Sequence, residues 1–197
     1  MLDKIGANIA KYGHHVHIVA GGANPRFAYS IGLSQRIGVE LVFAGASFYT
    51  NNEVRDIIND VAGEVEKIEA GHRFEFVSSG RLTLGRVDDS WASKLILGAL
   101  DYYKKSKIGA LQIIPDAQHW TIDVPNLSTQ WSAAVEPIWQ WLGNPWGYPI
   151  SKRSIAVTNL DALRGKPITE AMRWDPQRQL SLPTDDNYTS LFLTGDL

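Results

Sequence analysis

The chain has 197 residues, 44% hydrophobic and 20% charged, enough apolar material for one well-buried core or for one domain with an appendage. Its formal charge is -2 with no basic block, so the cationic face of a nucleic-acid binder is missing, and the absence of cysteine excludes thiolate nucleophiles, disulfides and thiolate metal ligands. The start, "MLDKIGANIAKYG", lacks the apolar core of a signal peptide, and no apolar run reaches the roughly 18 residues that span a bilayer, so the expectation is a soluble cytoplasmic protein without nucleic-acid or membrane partners.

Leu2, Ile5 and Ile9 recur at helical spacing ahead of Gly13, which predicts a short amphipathic helix over residues 2–12. "HVHIVA", "FAYSIGL" and "VELVFAGA" then read as three strands, the last two joined by the polar, Gly-ended "SQRIG". From Asn51 the period changes to 3.6: Val54, Ile57, Ile58, Val61, Val65 and Ile68 share a face, Asn51 or Asn52 is the expected cap, and Gly71 closes the helix. "RFEFVSS" and "RLTLGRV" around "SG" predict a hairpin. "DDSWASKLILGALDYYKK" predicts a second helix capped by Asp89 or Ser90, with the cations Lys104, Lys105 and Lys107 at its negative end, and "GALQIIPD" returns to strand.

Past Trp120 the composition shifts. Trp131, Trp139, Trp141 and Trp146 fall among Pro125, Pro137, Pro145 and Pro149, a stretch that cannot be one uninterrupted helix; a short helix from Ser128 followed by an aromatic crossing is expected. The division predicted is an α+β domain over 1–125 and a Trp- and Pro-rich crossing with a small α/β extension over 126–197, docked on it.

Three residue groups could carry chemistry. On a strand His15 and His17 face one side and His14 the other; an H-x-H pair supplies two nitrogens to a divalent metal, but a catalytic site needs a third ligand, for which Glu40, Asp116 and His119 are the candidates, and the same histidines also suit a half-exposed strand edge. No other cofactor is expected: Gly21 and Gly22 precede strand rather than helix, and neither Ser30 nor Ser47 sits in a nucleophile elbow. Glu40 is an acid inside the apolar run "GVELVFAG", so it either faces solvent, belongs to a local hydrogen-bond network, or serves a site as a carboxyl with a raised pKa. Asp116 follows a strand end, where loops carry function and where aspartate is also an ordinary turn residue. The tryptophans Trp139, Trp141 and Trp146 fit either a lid over one sheet face or anchors for a partner or ligand.

The order "GHHVHIV", "PRFAYSIGL", "VELVFAGA", amphipathic helix and "LQIIPDAQHWTID" resembles the bacterial family called domain of unknown function 4262, over about residues 3–125. The matching positions are Pro25, Phe27, Tyr29, Gly32, Leu33, Glu40, Leu41, Gln112 and Asp116; Val39 stands where the family usually has proline, and His119 and Trp120 replace a glycine-and-proline pattern. The part after Pro149 is weakly similar to small modules of immunity-type proteins, which neutralise a toxin by binding it. The resemblance implies that Tyr29, Glu40 and Asp116 outrank His15 and His17 as site residues.

The fold expected is α+β, a mostly antiparallel sheet with two main helices on one face and a Trp-rich C-terminal extension. Three functions compete: a binding or immunity-type protein acting by stoichiometric contact with a protein partner, an enzyme, metal-assisted hydrolase included, with a site at Tyr29, Glu40, Asp116 and a nearby histidine, and a small-ligand sensor.

Overall fold

Six short apolar segments hydrogen-bond into one sheet in the computed structural model, which describes residues 2–21, 25–64, 69–144, 155–156, 159–168 and 173–174. The strands are β1 (His15–Val19), β2 (Phe27–Ile31), β3 (Glu40–Ala44), β4 (Arg73–Phe76), β5 (Gly80–Arg86) and β6 (Ala110–Pro115), in the spatial order β1-β2-β3-β6-β5-β4. Every neighbouring pair is antiparallel except β3 and β6, which run parallel with Glu40 opposite Ala110 and Val42 opposite Gln112. The protein is α+β with a mostly antiparallel sheet, as its sequence pattern implies.

The helices differ from expectation. All five residues of β2 and of β3 are buried, so the sheet centre is apolar on both faces and both need cover. Helix α3 (Asn51–Gly63) lays Val54, Ile57, Ile58 and Val61 on Leu41, Phe43, Leu84 and Ile113. Helices α4 (Asp89–Leu95) and α5 (Leu97–Tyr103) cover the opposite face, where Trp91, Leu95, Ile96 and Ala99 join Tyr29, Ile31, Val42 and Ala44, together with Ile5 of α1 (Leu2–Tyr12). The main helices are therefore divided between the two faces rather than sharing one. Periodicity marks the apolar stripe of a helix but not the sheet face that receives it.

Local chemistry accounts for the boundaries. Gly13 ends α1 at φ 81, a conformation open to glycine. The cap of α3 is Thr50, one residue before the asparagines, and Glu53 completes a capping box by accepting from the Thr50 N–H. Asp88, rather than Asp89 or Ser90, caps α4 through the Ser90 N–H at 2.9 Å. The predicted single helix after it breaks at Ile96 (φ -100, ψ 37). "SQRIG" proves to be part of a one-turn helix, α2 (Leu33–Ile37), between β2 and β3. Val65 and Ile68 lie outside the described residues, and Gly71 donates its N–H to Leu84 rather than closing α3.

The tryptophan-rich stretch contains no helix from Ser128; turns lead to a 3-10 helix, Pro137–Leu142, that places Trp139 in the second layer. Beyond it a two-residue antiparallel pair, β7 (Ile155–Ala156) with β8 (Arg173–Trp174), and the short helix α6 (Leu160–Leu163) are described. Among the described residues no helix is long and apolar enough to cross a membrane.

Candidate functional site

Glu40 is wholly buried, and its carboxylate meets four donors. Oε2 accepts from Ser30 Oγ at 2.5 Å; Oε1 accepts from Tyr103 OH at 2.8 Å, Ser34 N–H at 2.9 Å and Gly32 N–H at 3.1 Å. Ser30 Oγ accepts in turn from Leu41 N–H at 2.8 Å. Three of these bonds converge on Oε1 and one on Oε2, so Oε2 keeps one lone-pair site while the carboxylate is held from several sides. Its donors come from β2, α2 and α5, which makes Glu40 the tie between those elements.

Tyr29 does similar work two residues along the register, opposite Val42. It is buried, and its OH accepts from Gly98 N–H at 3.0 Å, one of the N–H groups left unpaired when α5 restarts after the break. A Cβ on Gly98 would stand 2.5 Å from that oxygen, so glycine permits the approach. Burial pushes the Tyr29 hydroxyl above its ordinary pKa, against the lowering effect of the Gly98 N–H.

Asp116 is elsewhere. It follows β6, six positions beyond Ala110, the partner of Glu40; at ~3.3 Å per residue the two acids are about 20 Å apart. Tyr29, Glu40 and Asp116 therefore do not converge on one site, because the family motif spreads along the strands rather than around one end of the sheet.

His15 and His17 lie on the face of Tyr29, with His17 5.2 Å from the Tyr29 ring and 6.2 Å from His15. His15 Nδ1 is 2.8 Å from Asn8 Nδ2 on α1, whereas His14 reaches across to Asn59 on α3 at 2.9 Å. No group of three or more His, Asp or Glu side chains among the described residues is placed to hold a metal ion, so the pair lacks the third ligand it needs. Burial lowers the pKa of both imidazoles, and His15 is lowered further by the charges of His17, Lys4, His14 and Arg55. The unfolded chain thus binds protons that the folded chain resists. This part of the stability is complete above the unfolded imidazole pKa of ~6.5 and is lost as pH falls through it toward the folded values. Urea midpoints measured from pH 7.5 to pH 5 are expected to fall, and His15→Gln with His17→Gln should flatten that slope; an unchanged slope in the double variant would remove these histidines as its source.

Trp139 is 1% exposed, edge-on to Trp91 at 6.0 Å and 6.3 Å from Phe27, with its Nε1–H donated to the Asp123 carbonyl at 2.8 Å. It is a core residue and not a surface anchor, because the 3-10 turn folds it under the sheet. Trp141 is half-buried, and Trp146 lies outside the described residues.

What does converge is a set of loops at the carboxyl ends of the parallel pair β3 and β6, the place where flanking loops diverge and open a crevice. Gly45 and Ala46 both take positive φ (69 and 57); a Cβ on Gly45 would overlap the Asp123 carbonyl. Arg26 clamps this bend by donating to the carbonyls of Tyr49, Ala46 and Gly45 at 2.5, 2.7 and 3.3 Å. The Asp123 carboxylate accepts from Thr121 Oγ1 at 2.5 Å and Ser47 Oγ at 2.7 Å. Beside it, His119 Nδ1 is 2.7 Å from Asp116 Oδ1, and its ring stacks on Tyr49 (5.7 Å) and meets Phe48 edge-on (4.8 Å). Burial alone would raise the Asp116 pKa, but hydrogen bonds from His119, Arg81 N–H and Gln118 N–H outweigh it and hold the carboxyl below its ordinary range. Tyr49 donates to the Ser79 carbonyl at 2.7 Å and is raised by burial and by the charges of Asp116 and Glu53. In the sequence, aspartate at a strand end followed three residues later by histidine was the available sign of the pair.

A groove of about 710 Å³ opens between the C-terminal half of α3 and the β4–β5 turn, lined by Asn59, Asp60, Gly63, Glu64, Phe76, Val77 and Ser78. Val77 is fully exposed. Asp60 and Glu64 stand at the negative end of α3, where acids are disfavoured; the last turn of α3 carries no basic residue of its own, and the cation nearest its carbonyls is Arg36 of α2, which donates to the Ala62 carbonyl at 2.5 Å, while burial and the charges of Asp56 and Glu64 raise the Asp60 pKa.

The family model described as domain of unknown function (DUF4262) matches residues 8–120, more than half of the chain. The chain belongs to this family. No curated protein and no solved structure matches it. Within the DUF4262 span lie the Glu40 network, the His14–His17 run, the groove and the Asp116–His119 pair, whereas Asp123 and the tryptophans from Trp131 onward lie beyond it.

Proposed function

We propose that this DUF4262 protein acts by stoichiometric contact with a protein partner, through the groove between α3 and the β4–β5 turn. The observation that carries the reading is electrostatic: Asp60 and Glu64 are kept at the wrong end of a helix dipole, beside the exposed Val77 and half-buried Phe76. A basic segment with apolar side chains would relieve the repulsion among Asp56, Asp60 and Glu64 while covering Val77. Immunity-type neutralisation, in which a protein silences a toxin by occupying it, is one form of such contact. The enzyme built on Tyr29, Glu40 and Asp116 loses support because those residues do not converge, and a tryptophan stacking box loses it because Trp91 and Trp139 pack on one another in the core.

A synthetic peptide alternating lysine and leucine serves as the probe. Titration calorimetry with the full chain is expected to give saturable binding that weakens as salt rises, and about tenfold weaker binding in Asp60→Asn with Glu64→Gln, the size of a lost pair of charge contacts of ~1.4 kcal/mol in total. Equal affinity in the double variant, or no binding at low salt, would remove the groove as the contact surface.

A further inference from the structure

We infer that the Asp116–His119 pair is a general-base site acting on water against a carbonyl electrophile of the ester class, separate from the groove. Three features carry it. The 2.7 Å contact to Asp116 commits His119 Nδ1 as the N–H donor to the carboxylate, which places the imidazole lone pair on Nε2, and Nε2 makes no hydrogen bond among the described residues. Asp116 is itself fixed by Gln118 N–H at 2.9 Å, Arg81 N–H at 3.1 Å and His119 N–H at 3.2 Å, so the base, its orienting acid and the turn between them form one rigid unit. The ring is held between Tyr49 and Phe48 and rests on Gly80, where a Cβ would stand 2.5 Å from Cε1, yet the side chain stays 22% exposed.

A turn that needed only a cap would be complete with the Asp116 carboxylate and its three backbone donors. The histidine adds an oriented, solvent-reachable base, which is the arrangement general-base catalysis requires. In the step proposed, a water oxygen adds to the ester carbonyl carbon as its proton passes to Nε2. The tetrahedral adduct then expels the alkoxide, which recovers that proton from Nε2, leaving an acid and an alcohol and His119 neutral. Phe48, Tyr49 and the exposed Trp120 give the surroundings an aromatic character suited to an acyl or aryl group rather than to a phosphate.

The test uses the full chain with p-nitrophenyl acetate, following p-nitrophenolate release. The expected result is a rate above that of an equal concentration of N-acetylhistidine, reduced about a hundredfold in His119→Gln and less steeply in Asp116→Asn, with His72→Gln, an exposed histidine outside the cluster, at the wild-type rate. A rate in His119→Gln equal to wild type would overturn the inference. Should His119→Gln fail to fold, carbethoxylation of the wild-type chain by diethyl pyrocarbonate decides. Mapping by mass spectrometry should find His119 modified ahead of His14, and an unmodified His119 sinks the proposal. Neither readout involves the peptide probe of the groove, so the two readings fail separately.

Discussion

Replacing Glu40 with alanine is expected to destabilise the fold by about 2–3 kcal/mol, measured as the loss of unfolding free energy in urea. The removed carboxylate leaves Ser34 N–H without its acceptor, a half-buried backbone donor costing about 1–3 kcal/mol when orphaned, whereas Gly32 N–H keeps its 2.7 Å bond to Tyr103 OH. The hydroxyls of Ser30 and Tyr103 can turn to other acceptors, so they add less. Glu40→Gln keeps the shape and one acceptor oxygen but turns an amide NH2 toward existing donors, and roughly half of the loss is expected from it. Tyr103→Phe removes the donor to Oε1 and the 2.7 Å acceptor of Gly32 N–H, which retains Glu40 Oε1 at 3.1 Å, and should cost about 1–2 kcal/mol. Burial argues against Glu40 as a base: it is wholly enclosed, so a substrate proton could reach Oε2 only by opening the network between β2, α2 and α5. Should Glu40→Ala unfold within 1 kcal/mol of wild type, the tie between β2, α2 and α5 is not where the stability lies.

Glu40 also marks how far the sequence could be read. An acid inside "GVELVFAG" stands out in a single line of residues because burying it demands compensation. Its partner Tyr103 lies 63 residues on, and no local pattern connects them. The same limit separates the other successes and failures. The parity of "HHVH" was legible, and the structure sends His15 to Asn8 on one side and His14 to Asn59 on the other. The α3 stripe and the β4–β5 hairpin followed from spacing alone. By contrast, the parallel pairing of β3 with β6 depends on contacts across some seventy residues, and it is this pairing that carries Asp116 away from Glu40. The break at Ile96 has no glycine or proline at the break itself; its counterpart is the buried Tyr29 hydroxyl that receives the Gly98 N–H. Trp139 reads as lid or anchor in sequence because aromatic character suits both, and only the 3-10 turn after Pro137 decides between them.

Trp139→Ala is expected to cost about 3–5 kcal/mol in urea unfolding, the range for deleting a large buried aromatic side chain. Its ring fills the layer between Trp91 and Phe27, and its indole N–H is the hydrogen-bond partner of the Asp123 carbonyl, in the segment that also packs against Gly45. Trp139→Phe should recover much of the packing while leaving that carbonyl without its donor, so a loss of about 1–2 kcal/mol is expected. The groove on α3 lies across the sheet, in the other core layer, which gives the comparison its force. At a temperature where Trp139→Phe remains folded, its affinity for the lysine–leucine peptide should equal that of wild type, because Trp139 supports the fold and does not touch the groove. A variant of unchanged stability whose peptide binding is lost would reverse the assignment and make Trp139 an anchor after all.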